Sequence, residues 1–241
     1  MKKFYTLNLL LVIFITLSFT FSSCNFYKEV KGNGKIIKKE FQIKDFTRIE
    51  LDGYYNVILL QGDKAKLEIE TDENLLEYIE AKVSSKTLKL KNKKNISPSR
   101  NINVYLTFNK LEELAVSGFV VVSSADRLNF DKLSLFISGN SEINMNINSV
   151  ALKTEFSGNS IIRLSGTSLT AEMNASGSAT IDAIEFFIDD LKLSMSGSSV
   201  SKVNAISKLD MNVSGSAKVE YYGSPEVKQA VSGSGIITKM Y

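Results

Sequence analysis

The chain has no histidine, one cysteine and almost no net charge, and each shortage removes a class of function. Without histidine there is no Ser-His-Asp arrangement and no histidine-bearing zinc site. A lone cysteine excludes a disulfide within the chain. The formal charge is +3, or +1 once Lys2 and Lys3 are set aside, so no overall field favours nucleic acid. No Walker loop is present, no G-x-G-x-x-G follows a strand and opens a helix, and the glycine-rich nonapeptide that binds calcium is missing. Neither a cofactor nor a metal is expected.

The N-terminus carries an address. Lys2 and Lys3 precede LNLLLVIFITLSFTF, an uncharged run from Leu7 to Phe21, and Ser22, Ser23 and Cys24 follow. This is an export signal, too short for the ~20 apolar residues of a spanning helix. The FSSC ending resembles a bacterial lipoprotein signal, in which the cysteine becomes the first mature residue and carries lipid. The expectation is removal of residues 1–23, lipidation of Cys24, and a flexible leader over 24–40 that includes Gly32 to Gly34. The chain is then expected in the cell envelope as an outer-membrane lipoprotein, tethered by its lipid.

What the chain has in abundance is one repeated pair. Ser-Gly recurs at Ser117, Ser138, Ser157, Ser176, Ser196, Ser214 and Ser232, at steps of 21, 19, 19, 20, 18 and 18 residues. Counting back from each serine, the residues at one, three and five places are mostly apolar, as in Leu191, Leu193 and Met195. Those between, such as Lys192 and Ser194, are mostly polar. This is the two-residue period of a strand with one buried face. Alternation resumes after the pair through Ile143 and Met145, Ile162 and Leu164, Ile181 and Ala183. Each repeat therefore reads as strand, Ser-Gly corner, strand and a looser return.

A unit of about 19 residues buries its inner face only by stacking on copies of itself. Seven coils at a strand spacing of about 4.8 Å make a column on the order of 30 Å long. Glycine turns each corner, and the serine hydroxyl bonds its own corner or the next coil. Asn140, Asn159, Ser178, Ser198, Ser216 and Ser234, two places after the serine, are expected to form a second polar ladder. Seven equivalent serines do not suit catalysis, which needs one base aimed at one hydroxyl.

Residues 41–110 are strand-rich but irregular, with turns at Gly53 and Gly62-Asp63. DENLLEYIEAKV is expected to form one short helix, capped by Thr71 or Asp72, with Leu75, Leu76 and Ile79 on one face. F-x-x-I-x-L-x-G at Phe46 to Gly53, then YYNVILLQGD, LEIETDENLLEYI and the SGS/SGN series resemble the putative auto-transporter adhesin, head GIN domain family over about 200 residues. The resemblance implies an all-β, right-handed, single-stranded parallel β-helix (a β-solenoid) over residues 41–241. Its irregular front coils occupy 41–110 and its regular coils 111–241. It also implies an exported, often lipid-anchored protein and brings no catalytic motif. Ser117-Gly118 departs from the pattern, being followed by FVVV rather than a small polar residue.

Recognition residues are sought among the tyrosines. Tyr54-Tyr55 and Tyr221-Tyr222 are doublets, and one member of each must face outward in a strand. Tyr54, Tyr55 and Tyr222 are the candidate contacts for a sugar or protein, against ordinary edge packing. Lys86 to Arg100 holds six basic residues and no acid. It reads as a strand with a solvated lysine face leading into a loop at Pro98, or as a contact for anionic glycan or lipid headgroups. Asp189 and Asp190 read as solvated turn residues, with a glycosidase pair or cation site as the sharper option. The function expected is a non-enzymatic, lipid-anchored binding or adhesion module for a glycan or surface protein. The alternatives are a structural envelope protein that self-associates through the end of its column, and a carbohydrate-active β-helix enzyme.

Overall fold

The computed structural model describes residues 29–241. The front comprises β1 (Val30–Lys31), β2 (Ile36–Phe41), β3 (Arg48–Gln61), β4 (Lys66–Asp72), a 3₁₀ helix (Glu73–Tyr78), β5 (Ile79–Ser84), β6 (Thr87–Asn92), β7 (Ile96–Ser97) and β8 (Asn103–Phe108). The repeats supply β9 (Glu113–Ser124), β10 (Leu128–Ile137), β11 (Glu142–Phe156), β12 (Ile161–Ala175), β13 (Thr180–Met195) and β14 (Val200–Val213). β15 (Lys218–Tyr222), β16 (Glu226–Val231) and β17 (Ile236–Lys239) close the chain.

From β3 and β9 onward every strand pairs in parallel with the equivalent strand one coil away, as a β-solenoid requires. Register keeps like on like: Ile143 lies beside Ile162 and that beside Ile181. Leu152, Ala171, Leu191 and Leu209 form another such row. These rows are buried and line one continuous core. Burying each large apolar side chain contributes about 1.5–3 kcal/mol, most of it offset by lost chain entropy.

The wet faces are also ordered. Arg163, Asp182, Lys202 and Glu220 are successive neighbours along the column, as are Lys153, Glu172, Lys192, Asp210 and Lys228. Sign alternates at every step of both rows. Each exposed pair contributes little, but the alternation keeps like charges two coils apart.

Three expectations need correction. In the middle coils the return is not a loose loop, because β11, β12 and β13 run unbroken for 15, 15 and 16 residues. Bulges between Arg163 and Gly166 and between Ala183 and Phe187 bend the strand while its ladder continues.

The expected helix over 72–83 is a 3₁₀ segment that ends at Tyr78. Leu75 is buried and Asp72 occupies the cap position without a side-chain capping bond. The second half becomes β5 because it pairs antiparallel with β6, from Ile79 opposite Asn92 to Ser84 opposite Thr87. Ser85 and Lys86 make the two-residue turn, both at positive φ (48° and 61°).

From Val30 onward the leader belongs to the fold. β1 pairs with β7 and β2 with β4. The buried Asp72 carboxylate accepts bonds from the Gly34 amide (2.7 Å) and from the amide and hydroxyl of Ser99 (2.8 and 2.7 Å). Burial works to raise its pKa, but these donors together hold it below the usual carboxylate range.

The front coils are not laid down in chain order. β3 lies between β9 on one side and β6 and β8 on the other. Antiparallel β4 and β2 then close that end.

Candidate functional site

Each corner is built the same way. The amide of Ser138 donates to the Val116 carbonyl of the coil before (2.9 Å), and its hydroxyl leans on the same oxygen at 3.2 Å. Ser157, Ser176, Ser196 and Ser214 repeat this, with hydroxyl contacts of 3.4–3.5 Å. These hydroxyls face carbonyls rather than a base, and their long bonds leave them free to serve a ligand as well.

The expected second polar ladder does not form; buried hydroxyls occur one place later, in three of the coils. Asn140, Asn159, Ser178, Ser198, Ser216 and Ser234 are exposed. In each it is the backbone amide that donates to the corner glycine of the previous coil. The buried hydroxyls are three places after the corner: Ser141, Ser160 and Ser199 each donate to the corner serine carbonyl, at 3.3, 3.2 and 3.0 Å.

Alternation turns the serine, and the residue two before it, outward with an inward residue between them. Repeated coil upon coil, this leaves an axial groove of about 1000 Å³ that runs from Glu50 and Asp52 at the front to Ala230 and Ser232 at the back. Its walls carry serine hydroxyls, the amides of Asn174 and Asn212, and Phe136. Its lining holds no lysine or arginine; its charges are Glu50, Asp52 and Glu155.

Asp52 also borders a second hollow, of about 1130 Å³, on the front coils. Here Tyr54 stacks on Phe119, ring centroids 5.0 Å apart and planes within 7°. Both rings are about half exposed, at 54% and 49%, and Val121 beside them is 41% exposed. Lys31, Lys93 and Lys94 stand on the rim with Glu29 and Asp52, among the amides of Asn56, Asn92, Asn95 and Asn101. Lys93 Nζ donates to the Glu77 carbonyl at 3.0 Å, and Lys94 lies over the Tyr78 ring at 4.9 Å.

The structure thus brings Tyr54 together with the end of the lysine-rich segment. Tyr55 is turned inward instead, 3% exposed, with its hydroxyl donating to Asn92 Oδ1, and is no surface contact. Burial, reinforced by the Asp52 carboxylate, pushes its phenol well above the ordinary tyrosine range. Tyr222 is half-buried beside Asn204 in β15, near the opposite end of the column. Cys24 lies outside the described residues.

Lys89 and Lys91 project from β6 onto Glu50 (2.7 Å) and Glu80 (3.7 Å), as a solvated strand face should. Asp189 accepts a bond from Ser207 and Asp190 lies 3.9 Å from Lys208, so the acids are engaged within strand β13 rather than a turn. Phe119 joins Tyr54 as a candidate contact. Its signal was present, since it occupies the place that six later coils give to Asn or Ser.

The last coil is open. All of β16 is exposed, including Val227 (37%) and Val231 (48%) on the inward row. Gln229 between them and Lys239 in β17 place polar groups on that same inward face. Inward polar groups of this kind discourage edge pairing.

The model of the family described as putative auto-transporter adhesin, head GIN domain, matches residues 45–225. No curated protein matches the chain. Among solved structures, a putative adhesin from Bacteroides fragilis superimposes with a TM-score of 0.82 at 22% identity, over 88% of this chain and 100% of that one. A protein from Parabacteroides distasonis named a putative lipid binding protein has a TM-score of 0.74 at 24% identity, over 89% and 100%. A putative adhesin from Parabacteroides merdae has a TM-score of 0.66 at 22% identity, over 88% and 99%. At these identities the likeness is one of fold.

Proposed function

The chain belongs to the putative auto-transporter adhesin, head GIN domain family, and from that premise we propose that it is a non-catalytic binding module of the cell envelope. It is exported, loses residues 1–23 and is held to the outer membrane by lipid on Cys24. It engages a glycan or protein surface with the outer faces of the column. The observation that carries this reading is the axial groove, in which a corner serine hydroxyl recurs coil after coil. An extended ligand lying there would meet the same donors at every step. Recurrence of this kind suits graded, multi-point binding and not a single reaction centre. The corner serines support the same view, since six of the seven hydroxyls, Ser117 to Ser214, donate to a carbonyl.

Incubating the full chain, in detergent, with arrays of glycans and cell-surface proteins tests the module. Binding that is lost when Ser194→Arg fills the groove supports it, and silence on both arrays refutes it. Protease treatment of intact cells tests the side of the membrane, because adhesion requires the column to be accessible from outside.

Self-association through the last coil is the second reading, favoured by the exposed edge of β16. It predicts filaments or dimers that grow with concentration in light scattering. Gln229 and Lys239 on the inward face weigh against it.

A further inference from the structure

The hollow on the front coils lies where the chain enters the fold. Glu29 is part of its rim, and the next residues are fixed. The Val30 amide donates to the Asn95 carbonyl at 2.9 Å and the Gly32 amide to the Ser97 carbonyl at 2.8 Å. Cys24 precedes Glu29 by five residues, and five fully extended residues span at most about 18 Å. A lipid on Cys24 therefore keeps the Glu29 edge of this hollow within about 18 Å of the membrane surface, whatever path the intervening residues take.

The chemistry of the rim matches what that surface presents. Lys31, Lys93 and Lys94 are exposed and outnumber the two rim acids, Glu29 and Asp52. Beside them lie the exposed rings of Tyr54 and Phe119 and the side chain of Val121. Tyrosine is enriched at the depth of lipid headgroups, and lysines are attracted to anionic headgroups. Elsewhere along the repeats the equivalent places carry Asn or Ser, so the aromatic pair is confined to the coils nearest the tether.

We propose that this hollow docks the headgroup of a phospholipid in the leaflet that carries the anchor. The phosphate draws the Lys93 ammonium from the Glu77 carbonyl and the Lys94 ammonium from the Tyr78 ring, and the upper part of the lipid lies against Tyr54, Phe119 and Val121. The front of the column is then seated on the membrane, and the axial groove leads away from it. The inference rests on the lipid anchor proposed above.

The absence of tryptophan from the chain supplies the test. The full lipidated chain carrying Y54W is reconstituted into vesicles of phosphatidylethanolamine and phosphatidylglycerol, some doped with headgroup-nitroxide lipid. The expected result is blue-shifted emission that the nitroxide quenches, while I236W, in the last coil, stays unquenched. Adding Lys93→Gln and Lys94→Gln to Y54W should remove most of the quenching. Emission from Y54W that is no more quenched than that from I236W, in vesicles that retain the chain, overturns the docking and leaves the anchor standing. If mass spectrometry finds no lipid on Cys24 and the chain does not float with the vesicles, anchor and docking fall together.

Discussion

The Cβ that Gly158 lacks would lie 2.5 Å from the carbonyl oxygen of Gly139, one coil away. The backbone there has φ +80°, a conformation that costs a side chain about 1–2 kcal/mol. Gly158→Ala combines that strain with a backbone clash and should lose about 2 kcal/mol or more. A thermal melt checks it: an unchanged midpoint would mean that the corner yields easily.

Leu193 is fully buried, whereas its neighbour Ser194 faces the groove. Leu193→Asp should unfold or truncate the column, because a carboxylate there has no partner. Ser194→Asp should stay within about 0.5 kcal/mol of the parent, as surface changes usually do. Denaturant titration of the pair decides, and equal midpoints would refute the assignment of faces.

Lys192 sits between Glu172 and Asp210 on the alternating row. Lys192→Glu would set three acids in line. It should destabilise the column more than Lys192→Gln does, and the difference should shrink as salt is added, because exposed charges are screened. A salt-independent difference would assign the effect to something other than charge.

The Asp72 carboxylate, held below its usual pKa by Ser99 and Gly34, contributes stability above the ordinary carboxylate range. That contribution is lost as pH falls through the depressed folded value. Asp72→Asn replaces one acceptor oxygen with an amide that meets the donors of Ser99. It should lower stability at neutral pH and flatten the acid limb of the stability profile. An acid limb as steep as the parent's would show that Asp72 is not the group responsible.

The regular coils were legible because a stacked fold repeats its constraints. The same corner geometry recurs, so the same Ser-Gly pair recurs and one period reveals the architecture. The front was not, because no neighbour repeats it. Ser85 and Lys86 take up positive φ without a glycine to announce the hairpin, and the apolar spacing of Leu75, Leu76 and Ile79 fits a helix as well as it fits the 3₁₀ turn and strand. Gly53 read as a turn, but its place as the first corner, directly beside Gly118, appears only when β3 and β9 are paired. The hollow draws Tyr54, Lys93 and Phe119 from three separate strands and loops, and no local pattern joins them.

The threading of β3 between later strands bears on how the protein comes into being. An exported chain arrives N-terminus first, yet both flanks of β3 are made by residues 87–124. The earliest long strand must therefore linger unpartnered while its companions cross, exposing an apolar edge that invites rescue by a chaperone. Once β9 has landed, each later coil has a finished template beneath it, and winding becomes a local matter of laying one turn upon the last.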